Sequence, residues 1–163
     1  MIRNNTSAVQ AAFTAAEQQG FKPHIMDTRL QGEASDIGWK LGSFLREETI
    51  RRGDVHDTSC WIYGGETTVT IHGRGKGGRN QELALSAARA IAGLPNVAIL
   101  SIATDGEDGP TDAAGAFVTG DTVAKGEQAD LNAEVYLKNN NAYPYLDCVG
   151  GLIKTGPSGT NVN

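Results

Sequence analysis

The sequence has no apolar run approaching the ~18–20 residues that a membrane-spanning helix requires. A helical span is therefore excluded. It has no excess of positive charge either: 14 Lys and Arg stand against 19 Asp and Glu, a net −5 at pH 7. The basic footprint of a nucleic-acid binder is missing. Met1–Ala8 lacks the apolar core of a secretory signal. Two cysteines, Cys60 and Cys148, make neither a disulfide framework nor a zinc set. Their apolar neighbours read as those of free, buried thiols in a cytoplasmic protein. His24, His56 and His72 are spread without metal-ligand spacing and read as structural or surface residues. No repeat, low-complexity tract or linker divides the chain. One small polar break lies between residues 53 and 58, and residues 1–163 read as a single domain.

Glycine is what the chain has in excess. There are 21 in 163 residues, against the ~7% of ordinary proteins. Many fall in three clusters, at 64–65, 73–78 and 150–159. Clustered glycine marks tight turns or close approach of the backbone to something else.

Hydrophobic periodicity predicts the elements. Ala8, Val9, Ala12, Phe13 and Ala16 recur at helical spacing, with Asn5 or Thr6 as cap and Gly20 as stop. Phe21–Met26 reads as a short strand with Pro23 at an edge or start. A helix is expected from about Glu33 to Arg52, with Ile37, Leu41, Phe44 and Leu45 as its stripe and Gly53 as its stop. Ser59–Tyr63 and Thr67–His72 read as two strands, and Gly64–Gly65 between them suggests a hairpin. Asn80–Ala92 is helical. Val97–Ala103 is a nearly continuous apolar run, the pattern of a central strand covered on both faces. Ala114–Val118 and Leu152–Ile153 read as short strands, and 121–149 holds one or two short helices broken by Asn139–Asn141 and Pro144. Trp39 and Trp61 are expected in the core. Interspersed helices and strands predict a three-layer α/β domain with a mixed sheet.

Three segments carry candidate chemistry. The first is Gly73-Arg74-Gly75-Lys76-Gly77-Gly78-Arg79-Asn80-Gln81-Glu82, between a predicted strand and a predicted helix. Exposed amides, a helix N-terminus and three cations suit a carboxylate or phosphate; the alternative is a mobile surface turn. The segment fails the P-loop pattern, having no closing Gly-Lys-Ser/Thr. It satisfies G-x-G-x-x-G, but the ribose-binding acid expected ~20 positions on at a strand end is missing, and Asp105 comes too late.

The second is Thr104-Asp105-Gly106-Glu107-Asp108-Gly109-Pro110-Thr111-Asp112, directly after the apolar strand, where ligands of α/β folds gather. Its four carboxylates could hold Mg²⁺, or one could serve as a general base; a turn stabilised by Asx hydrogen bonds is the alternative. The third is Thr155-Gly156-Pro157-Ser158-Gly159-Thr160-Asn161-Val162-Asn163, rich in glycine and hydroxyls, which composition alone reads as a frayed tail. Glu66 could face the same site or be a turn carboxylate.

Taken together, five ordered motifs resemble one family: Gly-Gly-Glu-Thr-Thr-Val-Thr at 64–70, Gly-Gly-Arg-Asn-Gln-Glu at 77–82, Thr-Asp-Gly at 104–106, Asp-Gly-Pro-Thr-Asp-Ala-Ala-Gly at 108–115, and the segment 155–163. The chain is similar to the C-terminal, MOFRL domain of glycerate 2-kinases, proteins often named hydroxypyruvate reductases. The resemblance implies ATP-dependent phosphorylation of D-glycerate to 2-phosphoglycerate, with Mg²⁺, in a cleft between two lobes. Most ATP contacts would come from an N-terminal Rossmann-like lobe that these residues do not include. It implies that Arg79 meets the substrate carboxylate or phosphoryl charge, since the guanidinium fork is bidentate to both. Asp105 would accept the hydroxyl proton or help hold Mg²⁺, with Asp108 as a second metal ligand. Gly77, Gly78, Asn80, Gln81, Glu66, Gly159, Thr160 and Asn161 would line the substrate side.

Family chains continue past the position of Asn163 with a further strand, so an open sheet edge is expected here. The expected partners are D-glycerate or a similar hydroxy acid, and an N-terminal kinase lobe or a second copy. The kinase lobe is expected to be inactive alone; two other readings are a stand-alone, non-catalytic small-ligand or protein-interaction module, and an NAD(P)-dependent hydroxypyruvate reductase with its nicotinamide at Gly73–Gly78.

Overall fold

The computed structural model describes residues 5–53 and 58–159. His56, in the polar break, and Thr160 and Asn161, in the last motif, lie outside the described residues. The order of elements is α1 (Asn5–Gln18), β1 (Lys22–Glu33), α2 (Ala34–Arg52), β2 (Ser59–Thr68), α3 (Arg79–Ala90), β3 (Ala98–Ile102), β4 (Gly115–Thr119), α4 (Thr122–Gln128), α5 (Ala133–Lys138), α6 (Ala142–Cys148) and β5 (Leu152–Ile153). The α/β class expected from the sequence is present. Parallel and antiparallel pairing both occur, in a parallel β1–β2 pair and an antiparallel sheet ordered β3–β4–β5.

Local signals placed the first helices well. Gly20 and Gly53 adopt φ of 83° and 59° just past α1 and α2, a region L side chains avoid. The hairpin across Gly64–Gly65 does not form. β2 runs unbroken through both glycines and lies parallel to β1, paired from Lys22↔Ser59 to Glu33↔Thr68 with register shifts between Ile25 and Asp27 and between Asp27 and Leu30. A parallel partner needs a crossover, and α2 is that crossover. The glycines serve close approach instead. A Cβ at Gly65 would stand 2.1 Å from the Leu30 carbonyl oxygen, and one at Gly64 would stand 2.4 Å from Val9 of α1.

The expected central strand is also displaced. β3 sits at one edge of its sheet and β4 is central. Exposure alternates along β3, with Leu100 and Ile102 open on the face where Phe117 of β4 is also exposed. A continuous apolar run does not say which strand takes the middle of a sheet.

The core is built around α3, whose Leu85, Ala84 and Ala88, with Ile91 just past its end, pack with Val118, Leu137, Tyr145 and Leu146. α2 crosses it at very short range. A Cβ at Gly38 would lie 2.1 Å from Leu83 O, and one at Gly42 would lie 2.7 Å from Ala90 Cβ. One turn on, Arg46 donates from Nε to Ala90 O and from Nη2 to Ala92 O, both at 2.6 Å. It thereby satisfies carbonyls at the C-terminus of α3 that have no helical partner.

Trp39 and both cysteines depart from expectation. Trp39 is 48% exposed and lies under Arg89, 5.5 Å from the ring centroid. Cys148 is exposed; Cys60 is half-buried, and burial pushes its thiol pKa up. No described helix is long and apolar enough to cross a membrane.

Candidate functional site

The glycine segment is held by its own chain. Three consecutive asparagines in the α5–α6 connection line up against it. Asn140 Oδ1 accepts from the amides of His72 and Gly73 at 2.7 and 2.9 Å. Asn139 accepts from Arg74 through Oδ1 at 3.3 Å and from Gly75 through its carbonyl at 2.9 Å. Asn141 Oδ1 takes the Lys76 amide at 2.9 Å, and Lys76 O accepts from Tyr143 N at 2.9 Å. Gly73 and Gly75 are glycine because this run presses on them: a Cβ at either would lie within 2.5 Å of Asn139 or Asn141 atoms. Every amide from His72 to Lys76 is thus committed to the protein. They are not the open cradle a phosphate or pyrophosphate needs.

The segment turns into α3 at Gly78, where a side chain would collide with Asp108. Asp108 is 1% exposed and fills the α3 N-terminus itself. Its Oδ1 accepts from Asn80 N and Nδ2, and its Oδ2 from Gln81 N and Nε2, at 2.9–3.1 Å. A carboxylate there satisfies free helix donors and matches the helix dipole. With four N–H donors on its two oxygens, Asp108 has no lone pair left to point at an ion. That is a correction to its expected place as a Mg²⁺ ligand. It is likewise why the Asn80 and Gln81 amides do not face a ligand.

Asn80 continues the link, accepting from Ser101 Oγ of β3 at 2.7 Å. β3 and the β3–β4 loop are therefore each tied to the head of α3. In that loop, Asp105 Oδ1 accepts from Glu107 N at 3.1 Å, and its carbonyl accepts from Ser158 N at 2.8 Å. Ser158 Oγ donates to Thr104 O at 2.5 Å. A Cβ at Gly106 would lie 2.1 Å from Gly156 O. Residues 155–158 are thus docked on the Asp105 loop, not frayed as composition suggested; Gly159 beyond them is exposed.

Arg79 projects from the first turn of α3 and pairs with Glu66 of β2, Nη1 to Oε1 at 2.7 Å. Glu66 thereby balances Arg79; it is not a free anion contact. Among the described residues no three His, Cys, Asp or Glu side chains come together as a metal cage.

The sequence assigns no role to Glu82, Tyr143 or Lys154, which stand nearby. Glu82 is 4% exposed and accepts from Asn140 Nδ2 at 2.8 Å. Burial holds its pKa above the usual value; the Asn140 hydrogen bond works the other way, and Glu33 and Asp108 add to the rise. Tyr143 OH donates to Asp112 at 2.7 Å and accepts from Lys154 Nζ at 3.0 Å. Those two partners, Tyr143 first, hold the Asp112 carboxyl below its usual range. Lys76 Nζ lies 4.3 Å from the Tyr143 ring centroid, a cation–π contact. In the sequence, Asn139–Asn141 looked only like a break between helices; three amide side chains in a row were the available signal.

A model of the MOFRL family matches residues 59–163. The chain belongs to the MOFRL family. It is 47% identical to the glycerate 2-kinase of Pyrococcus horikoshii, over all of this chain and 37% of that protein. It is 42% identical to the D-glycerate 2-kinase of Thermotoga maritima, over all of this chain and 39% of that one. The solved T. maritima glycerate kinase superposes with a TM-score of 0.94 at 42% identity, covering 98% of this chain and 39% of that one. The chain spans about two fifths of the length of the relatives it matches. This MOFRL domain therefore shares its fold with the corresponding part of those kinases.

Proposed function

We propose that this domain is the substrate-side lobe of a glycerate 2-kinase, inactive until a nucleotide lobe completes it. One observation carries the reading: Asp108 ties the head of α3 to the β3–β4 loop, so Arg79 and Asp105 extend from two segments clasped at one buried anchor. The relatives named glycerate kinase supply the substrate class. Their names also imply ATP as phosphoryl donor, held mainly outside this domain.

In this reading Arg79 leaves its surface pairing with Glu66 and takes the D-glycerate carboxylate in its planar fork. The exchange is cheap, because an exposed ion pair contributes little, about 0–1 kcal/mol. Asp105 receives the 2-hydroxyl proton as that oxygen bonds to the γ-phosphorus and the bond to the ADP oxygen breaks. Were Mg²⁺ bound, it would neutralise phosphate charge, and Asp105 is the residue of this chain that would contribute an oxygen to it. Such transfer depends chiefly on positioning and charge neutralisation, which a rigid anchor serves.

The test is an amide-shift titration of the chain with D-glycerate, beside the Arg79→Ala variant. Shifts gathered at Gly77–Gln81 and Asp105, lost in the variant, support the reading. Equal shifts in Arg79→Ala would remove Arg79 from the site.

A further inference from the structure

We infer that Asn140 is a positioning residue, which holds the glycine segment in one conformation and so sets where Lys76 and Arg79 stand for an anionic substrate. The inference rests on the substrate-lobe reading for its ligand, but the clamp itself can be measured without any ligand.

An asparagine amide has two acceptor sites and two donors. Asn140 uses all four. Oδ1 takes the amides of His72 and Gly73 at 2.7 and 2.9 Å, while Nδ2 donates to Thr70 O at 3.2 Å and to Glu82 Oε1 at 2.8 Å. The first three bonds grip the backbone just after β2. The fourth fastens the grip to α3 itself, through a side chain that is almost wholly buried. Asn140 therefore joins the start of the glycine segment to the helix from which Arg79 projects, and Asp108 anchors the end of the same segment. A segment held at both ends has little freedom to swing its cations.

The backbone argues for asparagine too. Asn140 has φ of 50°, a conformation that glycine and asparagine adopt far more readily than other residues. Glycine would satisfy the turn as well, yet it would leave two segment amides and the Glu82 carboxylate without this partner. That makes Asn140→Gly the informative variant, since it removes the side chain without straining the turn.

The experiment measures amide exchange and D-glycerate affinity in the wild-type chain, in Asn140→Gly, and in the double variant Asn140→Asp, Glu82→Gln. The double variant exchanges donor and acceptor across the buried contact and keeps the acceptor for the His72 and Gly73 amides, giving up only the Nδ2 bond to Thr70 O. Loss of the clamp is expected to speed exchange at His72 and Gly73 about tenfold or more while Leu85 and Ala88 stay protected. D-glycerate binding is expected to weaken by about tenfold in Asn140→Gly, because the cations are no longer preorganised. The double variant is expected to recover most of both.

Unchanged exchange at His72 and Gly73 in Asn140→Gly overturns the clamp. Faster exchange with wild-type affinity overturns the positioning role. So does general loss of protection in Asn140→Gly that the double variant fails to repair. A wild-type chain that shows no response to D-glycerate refutes the substrate reading, and the positioning role with it, while the clamp is still decided by exchange alone.

Discussion

Gln81 and Asp108 are joined by three hydrogen bonds: the Gln81 amide and Nε2 meet Oδ2 at 2.9 and 3.0 Å, and Nε2 also reaches the Asp108 carbonyl at 3.1 Å. Both residues are buried. Asp108→Ala leaves the donors of Asn80 and Gln81 unpaired in a closed space. It is expected to cost about 3 kcal/mol or more, while Asp108→Asn, which keeps part of the acceptor set, costs about 1–2 kcal/mol. Chemical denaturation of the two variants would show the order; equal stabilities would contradict the anchoring role.

The α2–α3 crossing has no space for a methyl group. With the Leu83 carbonyl 2.1 Å from a Cβ at Gly38, Gly38→Ala forces the helices apart and is expected to destabilise by about 2–3 kcal/mol. Gly20→Ala meets nothing within 4 Å. It should cost only about 1 kcal/mol, for its positive φ. Thermal melts separate contact from conformation: a milder effect at Gly38 than at Gly20 would refute the tight crossing.

Glu82 makes stability depend on pH in a defined direction. Burial raises its folded-state pKa above the ordinary 4.5, so the folded chain binds this proton more tightly than the unfolded chain does. Its contribution is fully present below pH 4.5 and is lost as pH rises through the higher folded value. Glu82→Gln removes this titration and keeps an acceptor for Asn140. The variant's stability relative to wild type is therefore expected to improve as pH rises from 4.5 toward neutrality. A difference that does not vary with pH would show that Glu82 titrates normally.

Glu66 competes with any anion for Arg79. If the substrate-lobe reading holds, Glu66→Gln frees the guanidinium and tightens D-glycerate binding several-fold, in keeping with the ~0–1 kcal/mol of an exposed pair. Calorimetric titration at low salt is the suitable measurement. Weaker binding in this variant would mean that Glu66 contacts the substrate directly, as the motif first suggested.

Much of the local structure was legible in the sequence. Helical spacing located α1, α2 and α3 to within a few residues, and glycine stops marked the ends of the first two, because capping and amphipathic patterning act over a single turn. The five ordered motifs marked the family and the segments that assemble at the head of α3. Strand partners were not legible. Gly64–Gly65 reads as a turn until Leu30 and Val9 are seen against it, and Val97–Ala103 reads as central until β4 takes that place.

The amino-acid sequence by itself determined the α/β class, the helix stops and which loops would be rich in glycine, cations and carboxylates. The tertiary structure decided what those loops do. Asp108 meets Gln81 across 27 positions and Asn140 meets Gly73 across 67, so no local pattern could announce either contact. Folding turned a carboxylate that looked like a metal ligand into a helix anchor, and amides that looked like an anion cradle into bonds with asparagine. The physical reason is that a buried polar group must find a partner wherever the fold brings one; sequence supplies the groups, and packing alone chooses the pairs.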